Sequence, residues 1–234
     1  MTASIAERLA GVRARVEAAA KRAGRSPDDV LVVAVSKTWP ADVCLEAIEA
    51  GAAVLGENRA QEFRDKYTVL KDRAAWHFVG HVQTNKVRHI VGAARLIHSV
   101  DRFGLAESID KRARSLDIVQ DVLVEVNVSG ELSKEGIEPA RAEELITEIA
   151  ALPGVAVRGL MTMPPLTTFP EDSRPFFKDL VAMRDSIAER NPEVRQLSMG
   201  MTRDFDVAIE EGATIVRIGE AIFGPRANPL RDGM

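Results

Sequence analysis

The chain has 234 residues, of which 46% are hydrophobic and 28% charged, with a formal net charge of -4 and a pI near 5.7. That profile fits a globular protein with a sizeable core, and the weak negative balance offers no attraction for nucleic acid or an anionic membrane. No apolar run reaches a membrane span, the opening MTASIAERLA lacks a signal-peptide layout, and Cys44, the only cysteine, excludes an internal disulfide. The expectation is a protein of the reducing cytoplasm, with Cys44 packed on a helix.

In chain order, Ile5, Leu9, Val12, Val16 and Ala20 form a helical stripe that ends near Gly24. The run LVVAV (31–35) is apolar and mostly β-branched, which predicts a strand buried on both faces. It runs on into Ser36 and Lys37 and is stopped by Pro40. Strand-like runs then recur, so that the full set is 31–36, 52–57, 76–80, 95–100, 121–128, 155–161, 194–199 and 214–219. Helical stretches lie between them at 41–50, 58–70, 102–116, 139–151 and 173–190. Leu145, Ile146 and Ile149 mark the apolar stripe of one, and Phe177, Leu180, Val181 and Ile187 that of another.

This alternation predicts an α/β fold of the (β/α)8 barrel type, preceded by an extra helix, as one domain over 1–234. A doubly wound open sheet gives a similar pattern, but the length favours the barrel and no linker divides the chain. Barrel ligands bind at the carboxyl ends of the strands. Polar and glycine residues gather there: Ser36 and Lys37, Gly56 to Asn58, Gly80 and His81, His98 and Ser99, Asn127, Thr162, Ser198 to Gly200, and Gly219 with Glu220.

Lysine is seldom buried without a partner or a chemical purpose. The plain reading of Lys37 is a side chain that leaves the sheet and reaches water. The chemical reading is that an apolar barrel mouth lowers its pKa and frees an amine to form a Schiff base with an aldehyde. Were that aldehyde pyridoxal phosphate, the site would need a phosphate cradle and a partner for the ring nitrogen. RIGEAIFG (217–224) offers Gly219 and a short turn or helix for phosphate, and SMGM (198–201) adds Ser198 and Gly200. Arg217, two residues before Gly219, shares its side of the strand and is the candidate facing the ring nitrogen. A cation there keeps the nitrogen unprotonated and weakens the ring as an electron sink. A salt bridge at the barrel rim is the plain alternative for Arg217.

The segments VAVSKTWP, LGENRAQE, WHFVGHVQTNKV, IHSVDR, VLVEVNVSGELSKEGI, RGLMTMPP, LSMGMTRDFDVAI and ATIVRIGEAIFG, in this order, resemble the pyridoxal phosphate homeostasis proteins. These are single-domain relatives of the alanine racemase barrel, and the resemblance covers nearly the whole chain. It implies Lys37 as the Schiff-base lysine, Asn58 close to the cofactor, and Arg217 facing the pyridine nitrogen. It also implies Ser198, Gly200, Gly219 and the backbone around Glu220 as the phosphate site. The implied role is to bind, buffer and deliver pyridoxal 5'-phosphate, with transient contact to apoenzymes, as a monomer or weak dimer and with no turnover reaction assigned. The sequence departs from the family at His81, where a proline is usual, and at Glu220, where a threonine is common. A carboxylate repels phosphate, so Glu220 is expected to face outward and contribute its N–H.

Three alternatives follow from the same residues. An amino-acid racemase needs a second acid-base group; the racemases' tyrosine lies in a β-domain for which the chain leaves no room after strand eight. Tyr67, the only tyrosine, falls in the helix after strand two, and His81 is the substitute base. A cofactor-free Schiff-base aldolase would need a proton relay to Lys37, with Glu57 the nearest candidate. A metal site would gather His77, His81, His89 and His98, although no helical H-E-x-x-H pattern is present. Met161, Met163, Met199 and Met201 read as fillers of the barrel mouth. TRDFD (202–206) reads as a helix start capped by Thr202, EFRDKYTVLKDR as a solvated helix face, and Lys134 as an exposed loop residue.

Overall fold

The computed structural model describes residues 3–131 and 134–225. Eight parallel strands close into a barrel in the order of the sequence. They are β1 (Leu31–Val35), β2 (Val54–Glu57), β3 (Ala75–Phe78), β4 (Leu96–Val100), β5 (Gln120–Glu125), β6 (Val155–Met161), β7 (Gln196–Ser198) and β8 (Ile215–Ile218). Closure is made by β1 on β8, with Leu31 opposite Ile215 and Ala34 opposite Ile218, which excludes the open doubly wound sheet. Outside lie α1 (Ile5–Arg22), α2 (Ala41–Glu49), α3 (Ala60–Leu70), α4 (Phe103–Ser115), α5 (Ala142–Ala150), α6 (Arg174–Ala188), α7 (Phe205–Glu210) and α8 (Glu220–Phe223). Among the described residues no helix is long and apolar enough to cross a membrane.

Two apolar layers follow from the alternation of side chains along each strand. Val33, Val54, Val79, Leu96, Leu123, Met161 and Ile215 fill the barrel interior, one from each of seven strands or strand ends. The outward set packs under the helices, where Leu55, Phe78 and Ile97 meet residues such as Phe63, Ile109 and Ile146. Phe63 makes edge contacts with Trp76 and Phe78 at 5.7 and 5.9 Å. The extra helix α1 buries the expected stripe, starts with a Ser4–Glu7 capping box, and ends before Gly24 at φ 66°.

Several expectations need correction. β1 is buried on both faces only at Val33 and Ala34, because Leu31 is 38% exposed where the barrel floor meets solvent. β3 and β4 are joined by a 3-10 helix, Thr84–His89, and 139–151 opens with a 3-10 turn at Pro139–Arg141 before α5 begins. Thr202 does not cap α7: the helix starts at Phe205 behind Asp204, whose carboxylate accepts from the Met201 N–H and the Ser173 hydroxyl. EFRDKYTVLKDR is solvated on one side only, since Phe63, Lys66 and Leu70 are buried. Cys44 is buried on α2, as its helical setting implied.

Candidate functional site

At the end of β1 the Ser36 N–H bonds to the Gly56 carbonyl, and the Trp39 N–H then turns back to the Ser36 carbonyl at 3.1 Å. Lys37 and Thr38 occupy the centre of this turn, and Thr38 has a φ of 70°. Holding a β-branched residue in the left-handed region costs roughly 1–2 kcal/mol. Behind the turn stands Lys66 of α3, only 8% exposed in its side chain and 2.5 Å from Glu57 Oε1. Lys66 Nζ also donates to the Ser36 carbonyl, and Ser36 Oγ donates to Glu57. Glu57, the expected relay to Lys37, engages Lys66 and Ser36 through Oε1, while its Oε2 is buried without a hydrogen-bond partner. Burial raises its pKa, and Lys66 pulls it back down.

Lys37 opens onto a cavity of about 1300 Å³ at the carboxyl ends of the strands. Its wall carries six cationic side chains, Arg8, Lys37, Arg59, Lys86, Arg203 and Arg217, against the acidic Asp204 and Glu220. On a chain with a net charge of -4 this is a local positive excess, and it favours an anionic ligand.

Arg217 forms the cavity floor, 4% exposed. It donates to Ser198 Oγ at 2.6 Å and to the Thr162 carbonyl at 2.9 Å. Ser198 Oγ lies 2.8 Å from His98 Nδ1, and His98 Nε2 lies 3.0 Å from His77 Nδ1. Arginine can only donate, so with both imidazoles neutral the groups satisfy one another in one direction, from Arg217 through Ser198 and His98 to His77. The electrostatics agree. Burial pushes His77 down to about 4 and His98 well below its usual range, and their protonated forms are further disfavoured by Arg95 at His77 and by His77 and Arg217 at His98. Burial lowers Arg217 to about 10, which leaves it charged at neutral pH. Burial also lifts Glu125 to about 7, with Arg217 pulling the other way.

The structure brings Lys37, Asn58, Arg217, Gly219 and Glu220 onto one cavity wall. Ser198 and Gly200 do not line it. The Ser198 hydroxyl points into the barrel, and Gly200 (φ 88°) is a packing turn, where a Cβ would meet Ala208 Cβ at 2.5 Å. Their neighbours Met201 and Thr202 reach the wall instead, and the Ala221 N–H at the start of α8 faces Thr202 Oγ at 3.5 Å. Glu220 is exposed at the rim. Sequence reasoning missed Thr202 and Lys66. The first is the residue directly after the expected motif and was read as a helix cap, and the second was masked by its charged surroundings.

The histidines do not converge. His77 and His98 pair inside the barrel, whereas His81 is exposed on the cavity rim, 3.3 Å from Glu135 and 3.8 Å from Asp101. Met163 and Met201 line the cavity while Met161 and Met199 are core. Lys134 is half-buried and donates to the Met163 carbonyl.

Residues 8–227 match the family model described as alanine racemase, N-terminal domain. The chain is 51% identical to the pyridoxal phosphate homeostasis protein of Aquifex aeolicus over 94% of this chain and 97% of that one. It is 40% identical to the protein of the same name in Escherichia coli K12, over 95% and 97%. Among solved structures, PipY of Synechococcus elongatus with PLP bound has a TM-score of 0.82 at 34% identity, covering 94% of this chain and all of that one. An alanine racemase of Clostridium difficile shares the fold alone, with a TM-score of 0.70 at 15% identity over 56% of its length.

Proposed function

This chain belongs to the alanine racemase N-terminal domain family, and we propose that it binds pyridoxal 5'-phosphate on Lys37 and serves in the homeostasis of that cofactor. The observation that carries the reading is the joint placement of Lys37, Asn58, Arg217 and Gly219 around one cationic cavity. The residues fit the group. Asn58 Oδ1 is buried without a hydrogen-bond partner, a vacancy that a ligand donor would fill. Gly219 lets the start of α8 approach β1 closely, since a Cβ there would lie 3.2 Å from the Val35 carbonyl.

When bound, pyridoxal phosphate would supply an aldehyde able to condense with an amine. The chain's residues supply the rest. Lys37 offers the amine, and the N–H groups at the start of α8, with the Thr202 hydroxyl, accommodate phosphate. Arg217 holds a permanent cation on the floor, which disfavours a second positive charge on any ring nitrogen beside it. Ser198 and Gly200 act from behind: Ser198 fixes the guanidinium, and the Gly200 carbonyl accepts the Arg217 N–H. Such a site retains the cofactor more readily than it activates substrates. Delivery to apoenzymes through transient contact is the use consistent with it. The racemase reading is not better supported: Tyr67 stacks on Phe63 at 5.9 Å and does not line the cavity, and of its two candidate bases only His81 reaches the rim.

The test is the visible absorption of the protein titrated with pyridoxal phosphate, beside Lys37→Ala, followed by borohydride fixation and peptide mapping. A band in the wild type, absent in the variant, with label on Lys37, is expected. Equal bands in both would remove Lys37 as anchor, and no band in either would overturn the reading. Deuterium uptake at Cα of an added amino acid would turn the assignment toward racemase.

A further inference from the structure

Lys37 sits in a turn that its own sequence disfavours. A positive φ at the third position of a four-residue turn marks type II geometry and calls for glycine or asparagine. Thr38 stands there instead. Backbone in such a state persists only where its surroundings over-determine it. Here two side chains of α3 do so. Glu62 Oε2 accepts the Thr38 N–H at 2.7 Å, and Lys66 Nζ donates to the Ser36 carbonyl at 2.7 Å. Lys66 reaches Glu57 Oε1 and Glu62 Oε2 as well, at 2.5 and 3.5 Å. An ammonium has three N–H donors, and Lys66 has an acceptor for each. The helix thus grips the peptide groups on either side of Lys37 while that side chain remains on the cavity wall.

We propose that Glu62 and Lys66 are positioning residues that hold the strained 36–39 turn and so preset the Lys37 amine for its ligand. The ligand half of this proposal rests on Lys37 being the cofactor anchor, and the conformational half does not. A turn released from α3 would relax Thr38 out of the left-handed region and move Lys37 off its seat. Apparent affinity then falls in proportion to the fraction of molecules still competent to bind.

The test is a cycle of wild type, Glu62→Ala, Thr38→Gly and the double variant. Two quantities are read: hydrogen exchange of the Trp39 amide without cofactor, and the pyridoxal phosphate titration. Glu62 is partly exposed, so its loss leaves the core intact. Removing one charged hydrogen bond is expected to speed Trp39 exchange and weaken binding about tenfold each. Glycine takes the positive φ freely, so Thr38→Gly is expected to bring both values in the double variant back to within about threefold of wild type. Glu57→Gln with Lys66→Met, which avoids an unpaired buried charge, is expected to loosen Trp39 in the same way. A lowered Tm with unchanged Trp39 exchange would make the contacts merely structural and overturn the proposal. Failure of glycine to rescue would do the same, as would unchanged affinity beside a loosened turn. Should wild type show no band, the anchor reading falls, and the exchange cycle alone decides whether α3 holds the turn.

Discussion

Glu125 and the two buried histidines respond to pH in opposite directions. Burial raises Glu125 to about 7 in the folded chain from an ordinary 4.5. Between those values the folded state keeps a proton that the unfolded state has released, so stability falls as pH rises through the window. His77 is pushed down to about 4 from 6.5, so its contribution is present above 6.5 and is lost as pH falls toward 4. Glu125→Gln removes the first effect and keeps the second. The variant is expected to gain on wild type by about 2–3 kcal/mol between pH 5 and pH 8 in unfolding free energies from denaturant titration. A difference that does not move with pH would mean that water reaches the carboxyl. At this scale the placement of Lys37, Asn58, Arg217, Gly219 and Glu220 on the cavity wall was legible in the sequence, because strand-end position follows from topology alone. Ser198 was not, because which way the last strand residue points depends on register. Lys66 was hidden for another reason. An exposed and a buried lysine read alike, and its acceptors Glu57 and Ser36 lie nine and thirty residues away.

The strands were legible as elements because each is an apolar run bounded by turn residues. The 3-10 link Thr84–His89 was not, since its single buried residue, Val87, gives no helical period. Glycines also separate by element. In mid-α1 a Cβ at Gly11 would meet nothing within 4 Å. Gly11→Ala is therefore expected to stabilise by about 0.5–1 kcal/mol, through reduced unfolded-state freedom. At the end of β3 a Cβ at Gly80 would lie 2.2 Å from the Asn58 carbonyl oxygen and 2.6 Å from its Cα. Backbone cannot yield as a side-chain tip can, so Gly80→Ala is expected to cost about 3 kcal/mol. It should also displace Asn58 and weaken the pyridoxal phosphate titration. Equal thermal midpoints for the two variants would refute the contrast.

Across the whole molecule, α1 and α8 are tied directly, in addition to the β1–β8 ladder that closes the barrel. Arg8 of α1 donates from Nε to the Ile222 carbonyl at 2.7 Å and from Nη2 to the Phe223 carbonyl at 3.1 Å. Those are orphan carbonyls at the end of α8, which a cation suits in both hydrogen bonding and dipole. α8 has only one turn and cannot hold itself, yet its N-cap Gly219 and its first residue Glu220 flank the cavity. The extra N-terminal helix thus sets the far side of the site across 214 residues of sequence. Arg8→Met keeps the aliphatic stem while removing the donors. It is expected to cost about 1–3 kcal/mol, a fall in Tm of roughly 2–12 °C for a chain this size. Because α8 would loosen at its C-terminal end, the same variant should release pyridoxal phosphate faster while leaving the Lys37 label after borohydride in place. Unchanged release with a lowered Tm would confine α1 to a packing role and detach it from the site.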